Sequence, residues 1–220
     1  MIAIQNELGN KAKDCAIGVL VMENVSSIPG DKLKFIKLEL ENSIREKYRQ
    51  ASRGDLKALH PMDTYISYYK KFGYTYHVLP QLESVIKGKA IPDVLPPVEA
   101  MFMAELKNML LTAGHDLDKI KAPLRFMRST GNEAFISLGS KTVATIPGDI
   151  MISDQESVIS SILRGPDLRT AITEHTSRVL YTVYAPAGVN EQAVQRHLGN
   201  IESYVRAFSE DAATSFMHIY

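Results

Sequence analysis

The chain has 220 residues, 45% of them hydrophobic and 23% charged, which fits one globular domain. Its 25 Lys and Arg balance its 25 Asp and Glu, which excludes a strongly basic, non-specific nucleic-acid binder. The single cysteine, Cys15, excludes an intrachain disulfide and a cysteine-built zinc or iron–sulfur centre, and no apolar run approaches the roughly 20 residues that span a bilayer.

In chain order, Ala16-Ile-Gly-Val-Leu-Val-Met22 is a short continuous apolar run and predicts a buried strand. Pro29-Gly30 is a turn, and Asp31 is placed to cap a helix to about Gln50. That helix carries Leu33, Ile36, Leu40, Ile44 and Tyr48 on one stripe, and Arg53-Gly54-Asp55 breaks it. Pro61 to Phe72 predicts a second helix stopped by Gly73, and Pro80 to Ile86 a third ending near Gly88. After the rigid Pro92, Pro96 and Pro97, a fourth places Val98, Phe102, Leu106 and Met109 at helical spacing and ends by Gly114.

The middle of the chain changes character. Leu124–Arg128, Ala134–Ile136, Asp149–Ile152, Ser157–Leu163 and Thr176–Tyr184 read as strands between Gly- and Pro-containing turns. Asn190 then caps a long final helix whose Val194, Leu198, Ile201, Val205, Phe208 and Ala212 form one apolar seam. The seam packs on the domain's own sheet or, alternatively, pairs with a second copy of the chain. The expected fold class is therefore α+β, with a helical N-terminal half, a central mixed or antiparallel sheet and a long C-terminal helix. Residues 1–220 are expected to form one domain. Residues 1–55 would be a strand–helix extension packed on the rest, 60–186 the core, and 190–220 the helix.

Several chemistries are absent from the pattern. There is no phosphate-binding Gly-x-x-x-x-Gly-Lys loop, no Gly-x-Gly-x-x-Gly after a strand and no Gly-x-Ser-x-Gly elbow. The six histidines form no close His-x-x-x-His pair, so neither a metal nor a cofactor is expected.

Polar groups concentrate beside turns in two places. His115-Asp116-Leu117-Asp118 brings an imidazole near two carboxylates, a combination suited to acid–base work, or else an aspartate there caps a short helical turn. Arg164 to Thr176 offers Arg164, Asp167, Arg169, Thr173 and Thr176 around Gly165, groups able to hold a carboxylate, phosphate or ribose. The plainer alternative is a surface hairpin with an Asp167–Arg169 pair. Arg128 and Glu133 flank Ser129-Thr-Gly-Asn132 and read as a cross-strand ion pair or as a groove wall. Cationic type shifts along the chain: 13 Lys and 3 Arg up to Ile120, then 2 Lys and 7 Arg. Arginine suits planar anion recognition, which points any anion site to the later part.

From about His60 to Pro186 the chain resembles the B3/4 domain of the phenylalanyl-tRNA synthetase beta subunit, and more closely the free-standing proteins that carry this domain alone. Seven pieces follow the family's order: the tyrosine-rich Met62–Gly73, Pro80–Gly88, Ile91–Glu99, Asp116-Leu-Asp-Lys-Ile120, Leu124–Glu133, Pro147–Asp154, and Asp167–Thr173 with Thr176. The resemblance implies a mixed α/β fold with a pocket for the aminoacyl end of tRNA, where the synthetase domain hydrolyses wrongly charged tRNA. It also implies departures. The family's Val-Asp-x-Thr-Asn-Tyr is here Val98-Glu-Ala-Met-Phe-Met103, and its Pro-Leu-His-Ala-Phe-Asp is Leu111-Thr-Ala-Gly-His-Asp116, which moves its histidine onto Ala113. Asp167 is the nearest candidate for its pocket acid.

The expected function is binding of RNA ends or an aminoacyl group, extending to hydrolysis of misacylated tRNA in trans. His115 or Asp167 would orient a water, and Arg128, Glu133, Arg164, Arg169, Thr173 and Thr176 would contact substrate. The alternative is a non-catalytic small-molecule or amino-acid binding module. A cytoplasmic protein of translation, with no membrane partner, is the accompanying expectation.

Overall fold

The computed structural model describes residues 2–8 and 15–220. In chain order the elements are β1 (Ile4–Asn6), β2 (Cys15–Glu23), α1 (Asp31–Lys47), α2 (Arg53–Ala58), α3 (Met62–Lys71), α4 (Val78–Ile86) and α5 (Pro96–Asn108). There follow β3 (Leu111–Asp116), β4 (Leu124–Arg128), β5 (Ala134–Ile136), β6 (Thr142–Ala144), β7 (Ile150–Ser153), β8 (Val158–Ser161) and β9 (Gly165–Pro166). β10 (Val179–Pro186), α6 (Glu191–Phe208) and β11 (Ala213–Ile219) complete the α+β fold.

An antiparallel sheet ordered β11-β2-β10-β3 forms one layer. Its two central strands are buried almost throughout, which is why both read as continuous apolar runs rather than alternating ones. α6 packs on β2 and β10, and α5 on β3 and α6. Gly18 permits the approach of α6: a Cβ there would lie 2.5 Å from Val194 Cγ1. A second sheet, β1-β4-β7-β8-β9, is antiparallel except for its β1–β4 edge.

The tyrosines of α3 bolt the two sheets together. Tyr65 Oη donates to Tyr184 O on β10 and accepts from Leu111 N at 3.1 Å on β3. Tyr68 Oη reaches Asp149 Oδ1 at 2.8 Å, and Tyr69 Oη reaches Ile162 O at 2.8 Å, both beside the second sheet. Each ring fills core volume while its hydroxyl satisfies a buried acceptor, the reason tyrosine rather than phenylalanine stands here.

Several local expectations are corrected. The stretch read as a break, Arg53-Gly54-Asp55, starts α2, because Ser52 and Asp55 form a reciprocal capping box that outweighs one glycine. The first residue of α1 is Asp31 itself, with Gly30 as cap, and the helix's buried line runs through Lys37 and Glu41 rather than Ile36 and Leu40. Those buried charges are compensated: Lys37 Nζ meets Glu99 Oε1 of α5 at 3.1 Å and also Asp93, and Glu41 takes Arg45 at 3.0 Å and Ile91 N at 2.8 Å.

α5 ends at Asn108, with Met109 in the left-handed conformation (φ 59°), and Gly114 lies inside β3. A Cβ there would stand 2.9 Å from Ile172 Cδ1, so any larger residue would shift the end of that side chain. The final helix stops at Phe208, and residues 213–219 return as edge strand β11 against β2, so the stretch 190–220 is not all helix. Val194, Leu198, Ile201 and Val205 of its seam are fully buried inside the protomer, which leaves that face unavailable to a second copy.

Candidate functional site

A cavity of about 560 Å³ opens between α5, β3 and the β8–β9 turn. α5 supplies Val98, Met101, Phe102 and Glu105 on one helical face, and β3 supplies the floor from Leu111 to Gly114. Tyr69, Tyr74, His77, Ile172 and the stretch Ser161 to Pro166 complete the lining. The walls are mostly aromatic and aliphatic, with a few polar groups turned inward, the make-up of a small-molecule site.

Glu105 is the buried acid of this cavity. Only 2% of it is exposed, Oε1 accepts from Thr112 N at 2.7 Å, and Oε2 has no hydrogen-bond partner among the described residues. Burial holds its carboxyl up at about 8, the Thr112 N–H offsetting only part of that effect. Behind it, Thr112 Oγ1 lies 2.6 Å from His197 Nε2, and His197 Nδ1 lies 3.1 Å from Asn108 Nδ2. Burial pushes the His197 imidazole down to about 3, so it is neutral. At the mouth stand Arg164, exposed, with its guanidinium over the Tyr74 ring at 5.7 Å and Nε donating to Ala144 O at 3.1 Å. His77 faces water on one side and packs against Tyr69 and Tyr76 on the other, and lost hydration lowers its pKa.

Of the residues singled out in the sequence, Arg164 lines this cavity. His115, Asp167, Arg169 and Thr176 are brought close to one another, but away from the cavity lining, in a buried polar network. His115 Nδ1 meets Thr170 Oγ1 at 2.8 Å, and Thr170 Oγ1 in turn donates to Asp167 Oδ1. Arg169 donates to Lys119 O at 2.8 Å and Asp154 Oδ2 at 2.9 Å, which joins the single helical turn Leu117–Lys119 to the β7–β8 turn. Thr176 Oγ1 donates to Asp116 Oδ2 at 2.8 Å and accepts from Thr173 N at 2.9 Å.

The network is not fully satisfied: His115 Nε2 and Arg169 Nε are buried and have no hydrogen-bond partner among the described residues. Burial pushes His115 down to about 3, helped by Arg169, so its imidazole stays neutral. Burial raises the Asp167 carboxyl despite its bonds from Thr170.

Arg128 and Glu133 lie elsewhere. Arg128 Nη1 donates to Gly148 O at 3.1 Å and borders a separate groove with Asp63, Ser67 and Lys71. Glu133 organises its own loop, accepting from Ser129 Oγ, Thr130 Oγ1 and Thr145 Oγ1, each at 2.8 Å. Burial alone would raise that carboxyl, but these bonds hold it down at about 2. Among the described residues no group of three or more His, Cys, Asp or Glu is arranged to hold a metal ion.

Glu105 is not among the residues singled out from the sequence; it sits seven residues after Val98 and three after Phe102, inside the apolar run Ala100–Leu106 of α5. One acid inside a run of Met, Phe, Ala and Leu is the signal that marks it.

Residues 91–210 match the family model described as the B3/4 domain. The chain belongs to that family. It is 27% identical over 104 residues to the phenylalanine–tRNA ligase beta subunit of Mycoplasma genitalium, a match covering 44% of this chain and 13% of that protein. Its fold is similar to the crystal structure of an N-terminal fragment of the phenylalanyl-tRNA synthetase beta subunit from Pyrococcus horikoshii, with a TM-score of 0.50 and 12% identity. That superposition covers 99% of this chain and 50% of the fragment, so this B3/4 protein spans a small part of one relative and half of the other. No helix among the described residues is long and apolar enough to cross a membrane.

Proposed function

We propose that this B3/4 protein binds the aminoacyl end of a charged tRNA, with the amino-acid part inside the cavity and the nucleotide outside it. The observation that carries this reading is the cavity itself: about 560 Å³, apolar-walled, with a buried carboxyl within and the Arg164 guanidinium at its mouth. An apolar wall accepts an amino-acid side chain, and an arginine at the rim suits a phosphate. Family membership supports the same class of ligand. Cytoplasmic translation is the setting that follows.

We infer binding rather than hydrolysis as the principal activity. Hydrolysis of an activated ester needs a positioned water beside a group able to take its proton. Ala113 stands in the cavity where the resemblance aligns the family's histidine, His115 and Asp167 are bonded to Thr170 away from the cavity lining, and burial keeps the Glu105 carboxyl in the cavity protonated near neutral pH.

The test is retention of tRNA charged with phenylalanine or tyrosine on the purified protein, with release of free amino acid followed in parallel. Retention without release, weakened by salt and by Arg164→Ala, is expected. No retention by the folded protein overturns the reading, and selective release from mischarged tRNA replaces it with a hydrolase. The neutral net charge and single arginine at the mouth favour a second reading, a binder of the free amino acid. Its binding would be insensitive to salt.

A further inference from the structure

A carboxyl that is buried, opens onto a cavity and has one oxygen without a partner is costly unless something completes it. Glu105 is in that position. Oε1 is used by Thr112 N at 2.7 Å, and among the described residues neither another donor nor a Lys, Arg or His pairs with the carboxyl. Phe102, Tyr69 and Tyr184 share the cavity with it and offer aromatic surface to a cation.

We propose that Glu105 makes the cavity selective for a primary ammonium carried on an apolar body, the ammonium pairing with Oε2 and the body lying along α5 and β3. The proposal rests on the aminoacyl reading only for where such an ammonium would come from. The α-amino group of an aminoacyl ester and a free aromatic amine present the same chemistry.

Pairing requires an ionised carboxyl, so binding near neutral pH releases a proton from Glu105. Among the described residues the other titratable and charged groups around it are Tyr65, Tyr69, Tyr76 and Tyr184, with Tyr74, His77 and Arg164 toward the mouth and His197 behind Thr112. Burial raises the first four tyrosines above their ordinary value, and both histidines lie below theirs. Arginine stays charged. Glu105 is therefore the group expected to titrate between about pH 6.5 and 9.

The experiment is calorimetric titration of the full chain with phenethylamine, with 2-phenylethanol as neutral counterpart, at three pH values from about 6 to 8. Phenethylamine affinity should rise about tenfold per pH unit at the acid end and flatten near 8, with proton release seen as a dependence on buffer ionisation heat. Glu105→Gln, which keeps an acceptor for Thr112 N, should lose the pH dependence and about 10- to 100-fold in affinity at the alkaline end. Amine affinity that is flat with pH, or unchanged in Glu105→Gln, overturns the proposal, as does equal affinity for the alcohol at every pH. Aminoacyl-adenosine and its N-acetyl derivative separate the two readings. If phenethylamine behaves as described but aminoacyl-adenosine does not bind, the aminoacyl reading fails alone. If the N-acetyl derivative binds as well as the free amine, the Glu105 proposal fails alone.

Discussion

Ionising Glu105 in the empty cavity should cost the fold measurable stability. Its carboxyl titrates at about 8 in the folded chain against an ordinary value of 4.5. Between those values the folded state holds a proton that the unfolded state has released, so stability falls as pH rises. One full proton corresponds to about 1.4 kcal/mol per pH unit. Because the folded group is half ionised near 8, the loss from pH 6 to pH 8 is about 2 kcal/mol. Glu105→Gln keeps the side-chain shape and the acceptor for Thr112 N but cannot ionise. Urea unfolding of both proteins at pH 6, 7 and 8 isolates this one group, since every other titration cancels in the difference. The wild-type chain should lose about 2 kcal/mol relative to Glu105→Gln across that range. A difference that stays constant with pH would refute the reasoning, and would mean that water or a rearranged donor solvates Oε2.

Three further outcomes follow from the geometry. Arg169→Ala leaves the buried Asp154 carboxylate without its cation and Lys119 O without its donor, and should destabilise the fold by about 2–4 kcal/mol in urea without changing ligand affinity of the folded fraction. Glu133→Gln should cost about 1 kcal/mol, reduced by partial exposure to water. That stabilisation is present above the ordinary carboxylate pKa and is lost as pH falls through about 2, so acid unfolding curves of the two proteins should converge there. Gly18→Ala forces a Cβ to 2.5 Å from Val194 Cγ1 and should lower stability by about 1–3 kcal/mol, read as a drop in melting temperature.

The elements legible from the sequence are those whose cause is local. β2 and β10 carry enough apolar residues in a row to announce burial on both faces, and α6 shows its cap at Asn190, whose Oδ1 accepts from Ala193 N at 2.8 Å, and its seam. The tyrosine-rich α3 was recognisable as a helix and as a family feature, but the hydroxyl partners that make it a bolt come from β3, β10 and the second sheet. β3 shows the opposite case. Leu-Thr-Ala-Gly-His-Asp has no strand signature, and it is a strand because β10 offers it a ladder from Leu111 to Asp116.

The same division governs the site. Composition and turn signals drew attention to His115, Asp167 and Arg169, because polar groups beside glycine and proline are the local mark of a ligand loop. Tertiary packing turned those groups toward one another and left Arg164 at the cavity mouth. Glu105, one acid inside the apolar run Ala100–Leu106 of α5, became the cavity's carboxyl only when β3 and the 161–166 turn closed around it. Sequence by itself determined which stretches must be buried, where most helices begin, and the family. Only the tertiary structure decided which polar groups satisfy one another and which keeps an oxygen free. Hydrophobic periodicity is a property of neighbouring residues, whereas hydrogen-bond satisfaction depends on partners brought together from distant parts of the chain.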